Sequence, residues 1–180
     1  MKNKTVCYTS LRRNIALGTA IALIVAITIA VFVWLISIEP PFFEENAVVG
    51  DPTAFVTEED SYSLYEAEGV CKVALCGYLK ADGKDAKIYL TNPEENEVFL
   101  RAEIYTVAFV YDESGNVADY YEDDLLGKSG FLRPGEYVET IKLDKVPSEE
   151  QTYIMIKIAT YNEFDGTSNG SFFINTVLFK

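Results

Sequence analysis

Asp112, Ser114 and Asn116 alternate along the stretch YDESGN, a spacing at which short oxygen-bearing side chains converge on a cation. An EF-hand loop wants glycine at its sixth position and a bidentate glutamate at its twelfth. Counted from Asp112, glycine comes fourth and the twelfth residue is Asp123. The stretch therefore reads first as a polar hairpin turn, with Asp112, Asp123 and Asp124 as candidate ligands of a loose surface cation site. Tyr120 and Tyr121 stand beside these acids. Exposed tyrosines stack on sugars or anchor a protein contact, so the pair is the candidate binding surface.

Other chemistry is sparse. The chain has no histidine, so no Ser-His or Cys-His pair can form. Two carboxylates could hydrolyse a glycoside, but the chain has no insertion long enough to build a cleft. The expectation is a protein that is not an enzyme and holds no cofactor. In CKVALC, a regular strand would hold Cys71 and Cys76 about 16 Å apart and on opposite faces. A disulfide needs the chain to fold back between them, and Lys-Val-Ala-Leu gives no turn signal. Cys71 reads as core beside Val73 and Leu75. Lys87, Glu103 and Asn175 are of the right types for a buried Lys–Asn cross-link like those of pilin sandwiches, although no spacing brings them together. Asn169-Gly170-Ser171 is a glycosylation sequon, relevant only in a eukaryotic secretory pathway.

Charge divides the chain. Lys2, Lys4, Arg12 and Arg13 precede an uncharged run, and all 28 acids follow it. Those acids and the remaining 11 basic residues leave the C-terminal part with a net charge of −17. Such a body repels phosphates, which argues against a nucleic-acid partner. It suits a solvated surface, basic partners or cations.

These residues need elements to hold them. Residues 15–38 are apolar and uncharged, long enough to cross a hydrocarbon core of about 30 Å as a helix. Trp34 suits the interface, and Pro40-Pro41 end the helix. A cleaved leader has a shorter apolar region, about 7–15 residues, and a small-x-small exit. The run is read as an anchor in the lipid bilayer. The basic flank keeps residues 1–14 in the cytoplasm and places the C-terminal domain outside the cell membrane. Gly18, Ala22 and Ala26 recur every four residues, a spacing that helix pairing and chance in an alanine-rich span both produce.

Residues 39–68 read as an acidic linker and residues 69–180 as an all-β ectodomain. Val70–Leu79, Ala86–Thr91, Val98–Tyr111, Val117–Tyr121, Tyr137–Leu143, Thr152–Tyr161 and Ser171–Phe179 carry strand patterns between turn signals. The second half of Val98–Tyr111 is apolar on both faces, which requires cover on both sides or a bulge. Seven to eight strands with no helix among them fit an immunoglobulin-like antiparallel sandwich, with a barrel as the second solution.

The loop NPEEN (Asn92–Asn96), the turn GFLRPG (Gly130–Gly135) and the strand TYIMIKIATYN (Thr152–Asn162) are similar to motifs of small Firmicute single-pass proteins with an immunoglobulin-like ectodomain, often found with mobile elements or surface-protein genes. YDESGN followed by LRPGE also resembles a second set of bacterial immunoglobulin-like domains. The likeness spans roughly residues 70–180 and implies a binding or structural module with no catalytic residues. The functional expectation is protein–protein contact in a cell-envelope or surface apparatus, the partner unidentified by any residue pattern. The alternative is an extracellular domain that binds sugar or calcium.

Overall fold

The computed structural model describes residues 24–29, 42–67, 71–164 and 166–180. Residues 24–29 are helical, and the Thr28 hydroxyl donates to the Ile24 carbonyl at 2.9 Å. They are all that is described of the expected span 15–38; residues 1–14 and the rest of that span lie outside the described residues. Among the described residues no helix is long and apolar enough to cross a membrane.

The described residues from 42 to 180 belong to one compact unit and form ten strands: β1 (Val48–Val49), β2 (Ser63–Ala67), β3 (Cys71–Leu75), β4 (Leu79–Asp82), β5 (Asp85–Asn92), β6 (Val98–Tyr111), β7 (Val117–Lys128), β8 (Glu136–Lys142), β9 (Gln151–Asn162) and β10 (Ser168–Phe179). Hydrogen bonds join them into a continuous sheet in the order β1-β8-β5-β4-β10-β9-β6-β7, with β2 and β3 branching from β5. The pairs are antiparallel except β4–β10, a two-residue parallel seam at Leu79–Leu178 and Lys80–Phe179.

Alternation explains the long strands. In β6, Leu100, Ala102 and Ile104 are buried, and in β9 Ile154, Ile156 and Ile158 join them. These six share one apolar cluster with Leu75, Leu79, Ile88 and Leu90 from the β3–β4–β5 half and with Ile141 and Leu143. The sheet thus turns at the β4–β10 seam so that its halves bury a common core. Each fully buried Leu or Ile contributes about 1.5–3 kcal/mol. The halves also meet away from the seam, at bridges Leu100–Leu132 and Gly127–Leu143. At Gly127 a Cβ would lie 2.5 Å from the Lys142 carbonyl, so glycine is what allows this approach.

The expected seven to eight strands become ten for two reasons. The stretch Val70–Leu79 is broken into β3 and β4, because the Gly77 amide turns aside to the carbonyls of Asp60 and Ser61. Residues 42–67, read from composition as linker, hold β1, two short 3-10 turns and β2. Phe43 bridges Phe131, and the Phe131 amide donates to the Phe42 carbonyl at 2.8 Å. The Gly130 amide donates to Glu44 Oε2 at 2.7 Å. Arg133 lies 4.0 Å above the Phe43 ring. Polar composition hid this segment because its contacts use backbone and aromatic groups rather than an apolar run.

One buried polar residue ties the loops at one end together. Asn92 is fully buried, and its Nδ2 donates to the carbonyls of Val98 and Leu132 at 2.9 and 3.0 Å. Its Oδ1 accepts from Asn96 Nδ2 at 2.6 Å, while Asn96 Oδ1 accepts the Lys72 amide at 3.0 Å. The NPEEN loop therefore bonds backbone groups at the ends of β3 and β6, and gives the Leu132 carbonyl a second donor beside the Leu100 amide at 3.0 Å.

Candidate functional site

The half of the sheet formed by β10, β9, β6 and β7 has a second face, turned away from the core. The ladders set its rows. Glu103 stands beside Lys128 and Lys157, Tyr105 beside Met155, Val107 beside Glu122, Phe109 beside Tyr120, and Tyr111 beside Val117. Beyond Thr106, β6 no longer pairs with β9, so β6 and β7 continue alone as a hairpin. The ladder shifts register at Tyr105, at Val107 and at Tyr111. Of the two solutions open for this doubly apolar stretch, bulges are present, and the described residues do not cover both faces.

Where the hairpin leaves the sheet, a groove of about 490 Å³ opens. Phe109, Tyr111, Val117, Tyr120 and Tyr153 line it, with Asn175 at its side. Phe109 packs edge-on to Tyr153, centroids 5.8 Å apart, and Asn175 Nδ2 donates to the Tyr120 hydroxyl at 3.1 Å. Tyr111 and Tyr153 remain 61% and 58% exposed. These rings are held in place but unburied, a condition under which a surface contributes to binding more than to folding.

Next along the same face lies a charged cluster. Glu103 is buried, receiving Arg101 at 2.5 Å, Lys157 at 3.5 Å and the Tyr105 hydroxyl at 2.8 Å. Burial opposes its ionisation, but the Tyr105 hydrogen bond and the two cations outweigh that and hold its carboxyl below the usual glutamate value. Tyr105 is pushed up to about 12, by burial and then by its bond to Glu103. The Arg101 guanidinium stacks 5.5 Å from both the Phe131 and the Tyr161 ring. This cluster is a fixed charged platform rather than an acid–base pair, because neither Glu103 nor Tyr105 titrates near neutrality.

The sequence candidates separate on this frame. Tyr120 lines the groove, whereas Tyr121 pairs with Ala108 and points to the hairpin's other face. Asp112 is committed to its turn: Oδ1 accepts the amides of Ser114 and Asn116 at 2.8 and 2.9 Å. The Asn116 amide is the largest cause of its lowered pKa. Asp124 pairs with Lys145 at 3.0 Å, and Asp123 is exposed. Among the described residues no group of three acids or cysteines is placed to hold a metal ion. On the outer margin of β7, Asp119 Oδ1 accepts the amide of Tyr120 at 2.8 Å.

Lys87, Glu103 and Asn175 lie apart. Lys87 pairs with the buried Asp60 at 3.2 Å, Glu103 with Arg101 and Lys157, and Asn175 with Tyr120. Cys71 and Cys76 are buried free thiols, each raised to about 11 by burial, and Cys71 packs with Val73 and Leu75 as expected. A second groove, about 690 Å³, lies between Asp51, Tyr62, Thr91 and Glu94. Its Tyr62 and Thr91 hydroxyls are bonded to each other at 2.6 Å.

Reading along the sequence missed Phe109, Tyr111 and Tyr153. Their signal was the doubly apolar second half of Val98–Tyr111, which marked a strand with more apolar surface than one core could absorb. Comparison with protein-family models, with curated proteins and with solved structures finds no match.

Proposed function

We propose that the chain is a bacterial cell-envelope protein whose β domain docks a protein partner through the outer face of β10-β9-β6-β7. The observation that carries this is the row of exposed rings around the groove, Phe109, Tyr111, Tyr120 and Tyr153, set in a body with a net charge of −17. Exposed aromatic anchors are among the residue types that dominate protein interfaces. The domain is read as an immunoglobulin-like sandwich. That reading is supported by the β5–β8, β6–β9 and β9–β10 pairings and by β4, which pairs with β5 on one side and with β10 on the other and so joins the two halves of the sheet. Residues 15–38 are its membrane anchor, with the N-terminus inside, on the strength of their length and the flanking charge.

The test is a photo-crosslinking amino acid placed at Tyr120 or Tyr153 of the full chain in its native cell. A defined protein adduct at both positions, absent when the probe sits at the exposed Glu149, is expected. Equal labelling at all three positions, or none, refutes the reading.

A second reading, sugar binding, is favoured by the Asn175 amide and Tyr120 hydroxyl beside the Phe109 and Tyr153 rings. Calorimetric titration of the full chain with cell-wall glycan fragments and with calcium separates the two. Flat titrations are expected, and saturable heat with a glycan would move the assignment.

A further inference from the structure

The aromatic face has a charge pattern of its own. Along its rows stand three cations, Arg101, Lys128 and Lys157, against two carboxylates, Glu103 and Glu122, in a domain that elsewhere is strongly acidic. Lys128 and Glu122 are exposed, and neither has an ion-pair partner among the described residues. They occupy the same strand and the same face, at the rows of Glu103 and Val107, with the Tyr105 row between them. A surface with one unpaired charge of each sign, placed symmetrically about a central row, is complementary to itself.

We infer that the partner of this face is a second copy of the chain, packed face to face about a two-fold axis that lies in the interface and crosses the strands at the Tyr105–Met155 row. This rests on the protein-docking reading above and names its partner. In that arrangement β7 lies over β7 of the copy with its direction reversed. The Lys128 row then falls over the Glu122 row, twice, and the cationic Arg101 row falls over the Phe109–Tyr120 row. Charges pair where they are unpaired in the single chain, and an arginine meets aromatic rings. The acidity of the remaining surface opposes any other self-contact.

The test is the mass of the full chain in detergent, by light scattering across a dilution series, for the wild type and three charge variants. Lys128→Glu sets carboxylate over carboxylate, and Glu122→Lys sets ammonium over ammonium. Each single reversal is expected to weaken pairing on the order of tenfold, and the double variant to return to within about threefold of wild type. Both residues are exposed, and recovery in the double variant itself shows an intact fold. A wild-type chain that stays monomeric, or a dimer indifferent to the reversals, overturns the inference. If the monomer still gives adducts to another protein from Tyr153, self-pairing fails while the docking reading stands.

Discussion

Replacing Asn92 by aspartate exchanges one amide nitrogen for oxygen in a fully buried place. The amide donates to the Val98 and Leu132 carbonyls at 2.9 and 3.0 Å. In the variant both become contacts between acceptors, while the bond from Asn96 survives on the other oxygen. Two lost bonds cost about 1 kcal/mol each, and an unpaired buried carboxylate brings the total to on the order of 4 kcal/mol at pH 7. Asn92→Ala loses three bonds without burying a charge, about 3 kcal/mol. The nearly isosteric change should therefore be the worse one. Thermal unfolding followed by circular dichroism should show Asn92→Asp lower in Tm by on the order of 10 °C. The new carboxyl has a folded pKa above its unfolded value, so the folded state binds the extra proton. The deficit should grow as pH rises from the unfolded value, about 3.9, towards the folded one, and shrink on acidification. An Asn92→Asp variant as stable as wild type at pH 7 would refute the idea that this loop is held by amide donation.

Two further outcomes follow from geometry. A Cβ at Gly130 would sit 2.5 Å from the Glu44 amide and 2.8 Å from the Phe43 carbonyl carbon, so Gly130→Ala must push residues 42–44 off the 131 segment. A loss of about 1–3 kcal/mol in denaturant unfolding is expected, with faster proteolysis before residue 48; unchanged proteolysis would count against the docking of that segment. Glu103, its pKa lowered in the fold, contributes stability that is present above its unfolded value near 4.5 and is lost as pH falls through the folded one. The Tm of wild type should accordingly fall below about pH 4.5 more steeply than that of Glu103→Gln, and parallel curves would contradict the shift.

The long strands could be read directly. Val98–Tyr111 coincides with β6, and Thr152–Tyr161 differs from β9 by one residue at each end, because alternation over a single core leaves a two-residue period. β7 was legible only to Tyr121. Its continuation through Glu122, Asp123 and Asp124 carries no apolar period, since both its faces are wet until Leu125. Asn92 reads as an ordinary loop residue. What makes it structural is the meeting of Val98 and Leu132 around it, and Leu132 is 40 residues away in sequence. The groove was half visible for a similar reason: Tyr120 announced itself beside its acids, whereas Tyr153 looked like one more aromatic in a strand.

The margin of β7 sets a limit on growth. A sheet edge with free amides and carbonyls invites another strand, and the invitation repeats on every copy that accepts it. Here the Tyr120 amide is taken by Asp119, and a further exposed acid follows at Asp123. Copies approaching edge to edge meet carboxylate against carboxylate. Association through the aromatic face uses up that face on both partners at once and leaves the acidic margins outward. Crowding such chains together should raise the number of closed pairs and leave fibres unformed, with stoichiometry decided by which surface is spent and which is guarded.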